Sequence, residues 1–237
     1  MATRDLMDLF RIALMPVGTT MYVWGGGWNE EDTGSGEDTC KLGPRSRWAD
    51  YAAQQDATYD YNQTRFQIHD GLDCSGYMGW VLYNLMEDED GRPGYVCSAT
   101  EMAADCAKRG FGIFTPIGEV THWQAGDVMS SKGHVWLVVG SCPDGSVVLL
   151  HSSPPGVRLS GTKLEGQDTP SQAEVLAIQY MSRYYPAWQE RYPDVSKPAD
   201  YLTGSARMRW HSTILSDAEG LAALDAAGVL KKLFHEP

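Results

Sequence analysis

The sequence predicts an α+β domain with an antiparallel sheet. Apolar residues recur with helical spacing through the first hundred residues or so, and from Asp127 onward the pattern changes to short β-rich runs separated by turns. Helices first and strands later fits segregated layers rather than an alternating βαβ chain. The 237 residues, 26.2 kDa in mass, are enough to bury a sizeable core.

Taken in order, Leu6, Leu9, Phe10 and Ala13 fall at i, i+3, i+4 and i+7, an amphipathic helix. Met21-Tyr22-Val23-Trp24 is a strand-like run that stops at three glycines. Residues 28–45 read as a surface loop, with Glu30, Glu31, Asp32, Glu37 and Asp38 close together; the alternating ligands and closing Glu of a calcium loop are missing. Residues 74–86 carry Tyr77, Val81 and Leu85 at steps of four, with Met78 and Leu82 beside them, a helix with a broad buried face. Ser98 to Glu101 fits a capping box opening a helix to about Arg109. His134–Val139 and Val147–Leu150 are strands joined by a turn-rich hexapeptide, and Val175–Met181 reads as one more strand. A second capping box, Ser216 to Glu219, precedes an apolar helix around Val229–Phe234.

Composition narrows the functions. Acids outnumber bases 31 to 19, a formal charge of −12, and such a surface repels phosphate backbones, so no nucleic-acid partner is expected. No apolar run approaches the roughly 20 residues that span a bilayer. Arg4, Asp5 and Asp8 interrupt the N-terminal stretch, which therefore does not read as an export signal and, as given, points to the cytoplasm. Five cysteines without a Cys-x-x-Cys pair argue against a disulfide scaffold. No metal site or cofactor is expected; Asp88-Glu89-Asp90-Gly91 reads as an acidic turn.

Chemistry is concentrated in Leu72-Asp73-Cys74-Ser75-Gly76-Tyr77, where a cysteine opens the apolar helix. A helix N-terminus favours the thiolate and offers N–H donors to a developing oxyanion. Gly76 and Gly79 would let that helix lie close against a sheet. Of six histidines, His134 opens a strong strand and His151 closes the next. A wide connection centred between Cys142 and Pro143 sets the two rings opposite each other. A tight turn at Asp144-Gly145 instead pairs His151 with Val138 and separates them by about 13 Å, at roughly 3.4 Å per residue. Both connections remain open.

Together these stretches resemble the NlpC family of bacterial cell-wall cysteine peptidases. The matching residues are Tyr22-Val23-Trp24-Gly25-Gly26, Leu72-Asp73-Cys74-Ser75-Gly76, Gly126-Asp127-Val128, and His134-Val135 running into Val138-Val139-Gly140. The resemblance spans roughly residues 13–156, discontinuously. It implies a papain-like fold, N-terminal helices packed on a central antiparallel sheet, with the catalytic cysteine at a helix N-terminus. It also implies an endopeptidase that cleaves peptidoglycan stem peptides (muropeptides), typically between the γ-carboxyl of D-Glu and a diamino acid.

On that resemblance Cys74 is the nucleophile, His134 the general base and His151 the residue orienting it. Tyr22 positions or polarises the scissile carbonyl, Asp73 and Ser75 meet the stem peptide's amino terminus, and Trp24 and Trp28 wall the cleft. The family works outside the membrane, in tension with the missing export signal. Two departures stand out: the long segment 27–72, which reads as an insertion, and a C-terminal elaboration at about 182–237. The chain reads as a single domain, 1–237, and its oligomeric state is not legible. An amidase or acyltransferase on the same scaffold, or an inactive module that binds wall peptides, are the alternatives.

Overall fold

The computed structural model describes residues 4–29 and 36–237, so Glu30, Glu31 and Asp32 of the predicted acidic loop lie outside the described residues. In chain order the elements are α1 (Leu6–Leu14), α2 (Ser46–Ala53), α3 (Cys74–Met86), α4 (Met102–Lys108), β1 (Gly112–Thr115), β2 (Val128–Ser131), β3 (His134–Ser141), β4 (Val147–Ser153), β5 (Gly156–Thr162), α5 (Gln172–Tyr184), α6 (Pro186–Arg191), β6 (Ser196–Lys197), α7 (Asp200–Thr203), β7 (Ser205–Trp210) and α8 (Ala226–Leu233). The strands form one sheet in the order β1-β7-β2-β3-β4-β5-β6, antiparallel throughout except for the short β5–β6 pair. The class is α+β. Strand β7, from the C-terminal segment, is seated between β1 and β2. No described helix is long and apolar enough to cross a membrane.

Helix α3 lies against β3 and β4. It is buried almost all round, from Cys74 to Leu85, which is why its sequence lacks a polar stripe. Asp73 caps it by accepting the Gly76 N–H at 2.7 Å. On this face Val135, Leu137, Val139, Leu150, Val157 and Leu159 meet Tyr77, Met78 and Val81 in the main core. The opposite face carries a smaller cluster, Met129, Trp136, Val138, Val147 and Leu149, covered by Val120, Trp123, Tyr201 and Leu202. Residue parity therefore decides which side of the sheet a strand residue serves.

Several sequence expectations are corrected. Val175–Met181 is not a strand but part of α5. Ser171 and Glu174 form a capping box, and Ala173, Ala177, Tyr180 and Met181 are buried at helical spacing while Val175 and Ile178 face outward. Helical period and a cap outweigh two β-branched residues. Met21–Trp24 is no strand: Met21 makes only isolated bridges to Gly71 and Gly156, and a turn begins at Trp24.

Neither predicted capping box at Ser98 or Ser216 forms. The first turn of α4 is capped across the fold, the Ala103 N–H donating to Ser130 Oγ at 2.9 Å. Ser216 instead bridges to Asp5 at the start of α1, and α8 is capped by Asp225. Gly76 and Gly79 admit loops, not the sheet. A Cβ at Gly76 would stand 2.1 Å from the Gly26 carbonyl oxygen, and one at Gly79 would stand 2.4 Å from Val96 Cγ2.

Candidate active site

The N-terminus of α3 points to the end of the sheet where β3 begins and β4 ends. Ser152 Oγ donates to the Leu72 carbonyl at 2.7 Å and ties the entry of α3 to β4. The Cys74 thiol then lies against the β2–β3 turn, donating to the Gly133 carbonyl at 3.8 Å. The Val135 amide also faces it, so the sulfur is held by backbone on both sides of His134. Gly133 is itself fixed by its N–H donating to Thr100 Oγ1 at 3.0 Å.

His134 Nε2 and His151 Nδ1 are 2.9 Å apart, and His151 Nε2 is 3.0 Å from Ser160 Oγ. Neither predicted hairpin produces this pair. The connection is a three-residue loop, residues 143–145, with Cys142 N–H donating to the Ser146 carbonyl, Gly145 N–H donating to the Cys142 carbonyl and Ser141 opposite Val147. A bulge between Val138 and Gly140 then shifts the register, so that Leu137 faces Leu150. Carried one residue on, this sets His151 across from Trp136, with His134 as its diagonal neighbour on the same face. The loop and the bulge each remove one residue of register, so the offset of four that a two-residue Asp-Gly turn would impose on the histidines becomes two.

A cleft of about 700 Å³ opens over Cys74. Tyr22, Trp24, Trp28, Asp73 and Ser75 line it, together with Phe66 and Ile68 from the 27–72 segment and Ser98, Ala99 and Gly133. Trp28 Nε1 donates to Ser75 Oγ at 3.0 Å, and Ser75 Oγ donates to Asp73 Oδ1 at 2.8 Å. Tyr22 is clamped by Tyr61 edge-on at 5.3 Å and by the Tyr59 hydroxyl, which donates to the Tyr22 carbonyl at 2.6 Å. Trp24 is the exposed wall, with the Arg65 guanidinium 4.7 Å above its ring. Asp127, in the Gly-Asp-apolar stretch, does not reach the cleft; it holds Arg209 through two bonds of 2.8 and 2.6 Å. Among the described residues no cluster of three His, Cys, Asp or Glu stands ready for a metal ion.

Electrostatically the site is dry. The amides of Val135, Ser75 and Cys74 favour a thiolate, but burial first and the Asp73 charge second push the Cys74 thiol up to about 12. Burial, then Lys197 and Arg158, pushes His134 down to about 3, and His151 is held well below the usual imidazole range, chiefly by burial. The resting pair is thus a neutral thiol beside a neutral imidazole, not the ion pair that the helix N-terminus alone would favour.

Burial raises Asp73 from 3.8 to about 6 against its hydrogen bonds. A raised folded-state value means that protonation favours folding, so this stabilisation is complete below about pH 4 and is lost as pH rises through about 6. The amplitude is at most about 3 kcal/mol. Asp73→Asn keeps an acceptor for the Gly76 N–H, and its stability curve is expected to lack this fall between pH 4 and 7. Urea titrations at stepped pH check it; identical slopes for wild type and variant would refute the assignment.

Sequence reasoning missed Ser152, Ser160, Tyr201, Phe66 and Ile68. Only the alternation across 156–162 carried a signal: Val157 and Leu159 face the main core while Arg158 and Ser160 turn to the histidines. Fold and site together define an α+β protein with a cysteine at a helix N-terminus beside a hydrogen-bonded histidine pair. Comparison with models of known families, with curated proteins and with solved structures finds no match.

Proposed function

We propose that the protein is a papain-like cysteine endopeptidase acting on stem peptides of bacterial peptidoglycan. The observation that carries the hydrolase part is the Cys74 thiol held by backbone on either side of His134, whose Nε2 lies 2.9 Å from His151. The substrate class rests on the resemblance of the Tyr22–Gly26, Leu72–Gly76 and His134–Gly140 stretches to the NlpC family.

The chemistry requires one tautomer. His134 Nε2–H donates to His151 Nδ1, and His151 Nε2–H donates to Ser160 Oγ. Nδ1 of His134 is then the unprotonated nitrogen. As sulfur attacks the amide carbon, its proton passes to that Nδ1, so imidazolium and oxyanion form together and the site as a whole keeps its net charge. The oxyanion meets the free amides at the start of α3. His134 returns the proton to the leaving amine, and water attacks the thioester, with His134 again taking a proton, to release the acid. Asp73 and Ser75 flank the nucleophile on the cleft side and suit a substrate ammonium group.

Purified muropeptides incubated with the protein and read by mass spectrometry test this. The expected products are two fragments whose masses add to the parent plus one water. A product retaining an added primary amine in place of water would indicate acyl transfer instead, and an unchanged mixture would overturn the reading.

A further inference from the structure

The face of the sheet that carries the histidine pair also carries two cations for which the reaction above has no use. Arg158 pairs with His151 across β4 and β5, and Lys197 pairs with Thr162 across β5 and β6. Positions 158, 160 and 162 share the face that His151 occupies, so both cations stand beside the imidazoles and away from α3.

Arg158 is 2% exposed, and its Nε has no hydrogen-bond partner among the described residues. Among the described residues its guanidinium makes one long hydrogen bond, Nη1 donating to the Ser153 carbonyl at 3.4 Å. Lys197 Nζ donates to Ser153 Oγ at 3.1 Å, so the two cations converge on one residue at the mouth of the sheet. Neither forms an ion pair among the described residues. Asp194, the carboxylate that acts on both from a distance, is exposed and accepts the Ser196 N–H. A buried guanidinium left this poorly satisfied is costly unless something else completes it.

We propose that Arg158 and Lys197 form an anion subsite beside His134 and His151 that takes a carboxylate of the peptide substrate. The proposal deepens the peptidase reading and rests on it for the identity of the substrate. The site is then polarised: a carboxylate, Asp73, on the α3 side of the nucleophile, and two cations across the histidine pair from it. A peptide with an amino group on one flank of the scissile bond and a carboxylate on the other fits that polarity.

Access is from the partly exposed edge formed by Lys197, His134 and Tyr201. Burial and Arg158 push Lys197 down to about 7, and a bound carboxylate would hold it protonated. The same carboxylate would offset the cations that, after burial, lower His134, so an occupied subsite eases proton transfer from Cys74.

The test uses glutarate, with glutaramide as its uncharged counterpart, titrated calorimetrically into the full-length protein at constant ionic strength. Glutarate is expected to bind and glutaramide to bind at least tenfold more weakly. Lys197→Met and Arg158→Met should each weaken glutarate by tenfold or more and leave glutaramide unchanged. Should Arg158→Met fail to fold, Lys197→Met at the partly exposed edge still decides. Equal binding of the two probes, or wild-type glutarate affinity in Lys197→Met, would overturn the subsite. Muropeptide cleavage by the same preparations reports on the peptidase reading alone: cleavage without charge-selective binding removes the subsite only, and charge-selective binding without cleavage removes the peptidase only.

Discussion

Alanine at Cys74 and alanine at His134 are each expected to lower kcat/KM on a cleavable stem peptide by about 10⁴ or more, and the double variant by little further, because nucleophile and base act as one unit. Both variants should fold. The Cys74 sulfur is held at the rim of the core by the Gly133 carbonyl and the Val135 amide, and His134 is only partly buried at a strand end, so removing either side chain opens no large cavity. His151→Gln is expected to lose less, since a side-chain amide oxygen can still accept from His134 Nε2. Initial rates by chromatography, with melting curves as the control, decide the matter. Residual cleavage by Cys74→Ala would remove the thiol from the mechanism, and a double loss equal to the product of the single losses would uncouple the pair.

Gly76→Ala carries the largest expected structural effect. The added carbon would stand 2.1 Å from the Gly26 carbonyl oxygen, a backbone atom that already accepts the Asp73 N–H at 2.9 Å. The turn at residues 24–27 must therefore lift off the helix, carrying Trp24 and Trp28 out of the cleft wall. Overpacking of this kind costs about 3 kcal/mol, more than the roughly 1 kcal/mol that alanine gains over glycine inside a helix. Gly79→Ala is the matched comparison, because it crowds Val96, about one turn further along the helix, and not the 24–27 turn. Both should lower the melting temperature. Only Gly76→Ala should also reduce the rate per folded molecule below the melting range, and equal rates for the two would mean that the turn does not shape the cleft.

What was legible in the sequence was local. The 74–86 helix announced itself through apolar residues four apart; β3 and β4 announced themselves through unbroken Val-rich apolar runs. Cys74, Tyr22, Trp24, Asp73 and Ser75 meet in one cleft because each lies beside the α3 N-terminus, either in sequence or through a turn that glycines permit. The protonation state was not legible, since a thiol at a helix end reads as thiolate until its burial is known. Nor was the histidine register, which depends on a bulge that no turn signal encodes. Arg158, Lys197 and Tyr201 were invisible for a related reason. They lie in separate segments, none with a motif of its own, and strand pairing brings them to one face.

The place of β7 between β1 and β2 bears on how the protein is made. Gly112 pairs with Trp210 and Val128 with Met208, so β1 and β2 wait for a strand that is made much later in the chain. Contacts of such long sequence separation fold late and slowly. While the chain grows, the β2 edge stays open and Tyr201, which packs beside the histidine rings, has yet to emerge. A nascent chain holding Cys74, His134 and His151 thus lacks the frame that aligns them. Alignment of these side chains would therefore wait until β7 has paired between β1 and β2.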